Sequence, residues 1–97
     1  MRVLADLYEG VESLTPYGGR AVSWEPLGVA WLKLGPRRMH DRREAGGVRT
    51  VETVTAESRS DPRLTPERML RFGGADWRVR AVETVGGLAI LRLERSA

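Results

Sequence analysis

Cysteine is missing from all 97 residues, which excludes a disulfide scaffold and any thiolate metal site. Histidine occurs once, as His40, with no second imidazole to share a metal. Lysine also occurs once, as Lys33. The basic charge is therefore arginine, the cation suited to bidentate contact with carboxylate or phosphate. No apolar run approaches the roughly 18 residues of a membrane span, so no membrane partner is expected. The opening Met1-Arg2-Val3-Leu4-Ala5-Asp6 meets an acid too early for a signal peptide. No Ser/His/Asp arrangement, phosphate-cradling loop or paired-carboxylate motif is recognisable. The expectation is a protein that is not an enzyme, with no catalytic residues, no cofactor and no metal.

What remains is 41% hydrophobic and 30% charged, with a net charge of +3. A chain of this size builds one domain with a modest core. A charge of +3 permits nucleic-acid contact without requiring it.

The segment Arg68 to Ala81 organises the rest. Leu70 and Phe72 alternate with Arg71 before Gly73-Gly74, and Trp77, Val79 and Ala81 alternate with Arg78 and Arg80 after it. This is the period of two of a half-buried strand. The doubled glycine supplies the positive φ that a tight hairpin needs. Similar punctuation at Gly18-Gly19, Gly46-Gly47 and Gly86-Gly87 marks further turns between strands. Val3 to Leu14 carries both helical and strand spacings; Gly10, which costs a helix about 1 kcal/mol relative to Ala, tips it to strand. Val22 and Trp24 share a face before Pro26. Val29-Ala30-Trp31-Leu32-Lys33-Leu34 is apolar on both faces, as a central strand is, and Gly35-Pro36 is expected to stop it. Five β-branched residues between Thr50 and Thr55 favour another strand. Ala89, Leu91 and Leu93 form one face of the last, and Thr65-Pro66 suits a single helical turn. These signs predict an all-β domain over 1–97: a small barrel or sandwich of about six or more short antiparallel strands, with at most a helical turn.

Arg37 to Gly47 lacks apolar periodicity and reads as one long, mobile surface loop, worth a functional suspicion. Its Arg37, Arg38, His40, Arg42 and Arg43 are the candidate contacts for a large anionic partner, since arginines on a flexible backbone reach phosphates without reading bases. The expected core comprises Trp31, Leu70, Phe72, Trp77, Val79, Leu91 and Leu93. Trp24 is the tryptophan best placed for an interface.

The order of several elements resembles the tailed-phage head–tail joining family, the head-closure or stopper proteins that also occur in gene transfer agents. The residues carrying the likeness are Gly18-Gly19 followed by Val22 and Trp24; Val29 to Lys33; Arg43-Glu44; Ala56-Glu57-Ser58-Arg59; Arg68-Met69-Leu70; Gly74 through Trp77 to Val79; and Leu91-Arg92-Leu93-Glu94. The resemblance implies a non-enzymatic β-barrel assembling as a homo-oligomeric ring of six or twelve copies in the particle neck. Its implied partners are a head-side portal or adaptor, a tail-side terminator or tail protein, and the double-stranded DNA passing through the channel. The stretch matching the family's channel loop is Arg37 to Gly47. Mixed charge there (Asp41 and Glu44 among the arginines) suits narrowing of the channel and docking better than a tight grip on phosphates. A small cytoplasmic nucleic-acid-binding module of OB or SH3-like type, stacking bases on exposed tryptophans, is the alternative from another class.

Overall fold

The structure is a computed structural model that describes residues 1–96. It is all-β among these residues. Six antiparallel strands run Arg2–Leu14 (β1), Arg20–Glu44 (β2), Gly47–Arg59 (β3), Met69–Phe72 (β4), Ala75–Val85 (β5) and Leu88–Ser96 (β6). They close in the order β1-β2-β3-β6-β5-β4, with β4 returning to β1 through Asp6, Leu7 and Tyr8. Closure pairs both edges of the sheet within the barrel, while the two long hairpins run on beyond it.

The interior follows from alternation. Ala5 and Leu7, Ala30 and Leu32, Val54 and Ala56, Leu70 and Phe72, Trp77 and Val79, and Ala89, Leu91 and Leu93 all point into one cluster, joined by Leu64 from the β3–β4 connection. Phe72 stacks on Trp77 with ring centroids 5.5 Å apart and planes 3° from parallel. The alternation in β5 breaks once: a bulge between Val79 and Ala81 pushes Arg80 out. Val82, rather than Ala81, then packs against the core. Such a one-residue slip re-aims every side chain that follows it.

Two expectations fail along β2, which is 25 residues long. Fully extended, it would reach roughly 80 Å, against a long axis of 45 Å for the whole molecule. It therefore bends, at bulges around Leu27 and at Gly35-Pro36. Pro36 does not stop the strand, because beyond Leu34, whose N–H still reaches the Met1 carbonyl, β2 has a backbone neighbour on one side only and the missing N–H costs no ladder bond. Pro26 is tolerated for the same reason. Gly35 suits the bend, since a Cβ there would lie 3.0 Å from the Thr55 carbonyl oxygen, closer than ordinary contact.

The long loop expected at about 35–47 is consequently a β-hairpin. Arg37 to Glu44 pair residue by residue with Val54 to Gly47. Charge and poor apolar periodicity disguised a strand whose faces are not covered by the core. The helical turn is absent as well: Arg68 N–H reaches the Thr65 carbonyl, but Glu67 has φ 74°, outside any helix.

Candidate interaction surfaces

The hairpin arginines divide into two groups. Arg42 forks onto Glu94 of β6 with two bonds of 2.7 Å, and Arg80 lies 3.6 Å from the same carboxylate. Glu94 is almost fully buried, and Arg42's hydrogen bonds, with the nearby positive charge of Arg42, Arg80 and Arg49, hold its carboxyl below the ordinary range. The same bonds push the Arg42 guanidinium up. Arg37 sits 3.5 Å from buried Glu52 and 5.5 Å from the centre of the Trp77 ring. Arg95 lies on the same ring at 5.2 Å and donates to Glu52 at 2.9 and 3.1 Å. Glu52 thus ties the root of the hairpin to the barrel mouth, over the tryptophan. Arg37 and Arg42 are structural ties as well as surface charge.

Arg38, His40 and Arg43 differ. All three are exposed, and among the described residues no carboxylate lies within salt-bridge distance of Arg38 or Arg43. Arg38, His40 and Arg42 share a shallow groove with Arg80 and Arg92 on the outer wall. Sequence reasoning placed Arg37, Arg38, His40, Arg42 and Arg43 together as one mobile set. Arg37 instead turns to the barrel mouth, while Arg80 and Arg92, far away in sequence, join the groove.

A second tie lies at the Leu27 bulge. Arg63 forks onto Asp61 at 2.7–3.1 Å and donates to the carbonyls of Leu27 and Val29 at 3.0 and 3.2 Å. Those bonds lower the Asp61 carboxyl. Gly28 has φ 131°, and a Cβ on it would come within 2.5 Å of the Arg63 guanidinium. The glycine lets the arginine approach. The Asp61–Arg63 pair is local, but nothing in the sequence marks its reach to the Leu27 and Val29 carbonyls, 36 and 34 residues away.

Leu70, Phe72, Trp77, Val79, Leu91 and Leu93 are buried, whereas Trp31 is 64% exposed. Its segment is apolar on both faces, but only Ala30 and Leu32 face inward. Outside, Trp31 stands beside its β1 partner Leu4 and near Val29, each about half exposed. An open groove here is lined by Val29, Trp31, Lys33, Arg2, Arg59 and Leu88 among others. It forms where the β2–β3 ladder ends at Lys33–Glu57, so that Ser58 Oγ donates to the Trp31 carbonyl in place of a backbone group. Trp24 is half-buried, lying over Gly10 with the Arg78 guanidinium 5.0 Å from its ring. No group of three or more His, Asp or Glu able to hold a metal occurs among the described residues.

No protein-family model matches the sequence. No curated protein matches it either. Among solved structures, the chain is similar to one described as "Virion of native gene transfer agent (GTA) particle". The TM-score is 0.76 at 20% identity, over 98% of this chain and 94% of that one. The likeness in fold runs over nearly the whole of both chains.

Proposed function

We propose that this chain is a structural subunit of a phage-like particle, a gene transfer agent or a tailed phage, and that it acts at the neck as a ring-forming head–tail connector. The carrying observation is the likeness to a gene transfer agent virion chain over nearly the full length of both. A likeness confined to the barrel would be poor support, since small barrels serve many functions; here it extends over both hairpins that leave the barrel. Large exposed apolar residues (Trp31, Tyr17, Leu14, Met39) suit a protein that works by being covered.

In this reading six or twelve copies join a head-side adaptor or portal to a tail-side terminator or tail protein, around a channel for double-stranded DNA. The Arg37–Gly47 stretch reaches towards that channel and helps retain packaged DNA. As a paired hairpin tied down by Glu52 and Glu94, it acts as a stiff constriction. Arg38 and Arg43 are the side chains left for passing phosphates. Deletion of the gene in the producing bacterium tests the reading. Electron micrographs should show filled or leaking heads separate from tails, with joining restored by the intact gene. Normal, DNA-filled, tailed particles in the deletion strain would refute it. Arg38→Ser with Arg43→Ser should then lower DNA retention without loss of joining.

A further inference from the structure

The groove on the outer wall is assembled by four neighbouring strands. Arg38, His40 and Arg42 reach it from β2, Arg49 from β3, Arg92 from β6 and Arg80 from β5. Alternation turns every second side chain of a strand to the same face, so Arg43 and Arg37 of β2 are not among them. Three strand spacings make this face roughly 15 Å across.

Five arginines there meet two carboxylates, Glu44 and Glu94, and the pairing is uneven. Arg49 is held by Glu44 at 3.1 Å. Glu94 is shared by Arg42 at 2.7 Å and Arg80 at 3.6 Å, and Arg80 also reaches Glu67 at 3.3 Å. Arg38 and Arg92 are exposed. Among the described residues neither has a carboxylate within salt-bridge distance. The uncompensated charge is therefore two guanidinium groups, beside arginines whose positions Glu94 already fixes.

The lining also narrows the ligand. Among the described residues no aliphatic side chain and no Trp, Tyr or Phe borders the groove. An acidic peptide would find no apolar surface to bury against, and a single strand would find no ring on which to stack its bases. The backbone of a duplex needs neither, because cations that displace its condensed counterions are enough.

We propose that this wall groove takes the phosphate backbone of duplex DNA, with Arg38 and Arg92 as the contacting cations and no reading of base sequence. The contact lies on the barrel wall and not at the hairpin tip, so in a ring the β2–β3–β6–β5 face turns to the channel. That orientation rests on the connector reading, whereas the binding itself is a property of the isolated chain. Two phosphate contacts per copy make a weak hold that lets DNA pass, and a ring of copies multiplies it.

The test titrates the purified full-length chain into a short labelled duplex at low salt, read by fluorescence anisotropy. Two free arginines predict a slope of log affinity against log salt of about −2, equal for two unrelated duplex sequences. Arg38→Ser with Arg92→Ser should weaken binding by more than about tenfold and flatten that slope. Neither residue makes an ion pair, so the thermal melt of this variant should stay in place. Arg2→Ser with Arg59→Ser removes the same net charge from a different groove and should leave affinity within about twofold. Equal losses in the two double variants would show attraction by net charge alone and overturn the site. No duplex binding at low salt, or binding to the single strand or to polyglutamate as tight as to the duplex, would overturn it too. Presence of the chain in purified particles is scored separately. A chain found in particles whose free form ignores DNA would sink the groove and leave the subunit reading standing; groove-dependent binding by a chain absent from particles would do the reverse.

Discussion

The barrel wall and the β2–β3 hairpin are continuous strands, yet different forces hold them. In the wall, Leu7, Leu32, Leu70, Trp77, Leu91 and Leu93 are removed from water, and burial of apolar surface supplies most of the stabilisation. In the hairpin, most of Arg37 to Glu44 is exposed, and the ties are Arg42–Glu94 and Arg37–Glu52. The wall should respond to lost volume and the hairpin to acid. One strand, β2, thus lines the core through its middle and projects from the barrel at its end.

Trp77→Ala should break the wall most severely. It removes the largest fully buried side chain and leaves Phe72, Arg37 and Arg95 without their shared ring. A loss of about 3–5 kcal/mol is expected in urea unfolding, enough to unfold a marginal domain.

Gly28→Ala comes next. It places a Cβ at positive φ and against Arg63, which should cost more than about 1 kcal/mol and loosen the Leu27 bulge. Hydrogen exchange across residues 26–30 would report it.

Acid sharpens the comparison. Glu94 and Asp61 sit below the ordinary carboxyl range when folded, because Arg42 and Arg63 donate to them. Unfolding returns both to the usual value near about 4. Their contribution is therefore complete above that value and is lost as pH falls through the depressed folded values. Melting temperature should decline on acidification below about pH 4, and Glu94→Gln should lower it at neutral pH while flattening that decline. Exchange should rise first in residues 37–44, before the wall opens.

Trp31→Ala should have the smallest effect on folding, within about 0.5 kcal/mol, since the ring stands largely in water. A loss comparable to that of Trp77→Ala would show that the two tryptophans are not differently placed.

The wall was legible because period-two patterning and doubled glycines are local signals. Leu70, Phe72, Trp77, Val79, Leu91 and Leu93 could each be assigned a face from their neighbours. Trp31 could not, because a segment apolar on both faces does not say which face is covered. The hairpin was hidden for a related reason. Its strands are held by pairing and by carboxylates at Glu52 and Glu94, so no apolar rhythm marks it, and Gly35-Pro36 looked like a stop where it is a bend. The Arg63 clamp rests on contacts between distant segments, which no window of sequence displays.

The central claim is that this chain is a building block of a phage-like particle. Quantitative mass spectrometry of gradient-purified particles from the producing bacterium tests it most directly. The account predicts the chain at a fixed, multi-copy ratio to the portal protein in every preparation, retained through high-salt washing. Its absence from intact particles, while it remains abundant in the cell lysate, would contradict the account.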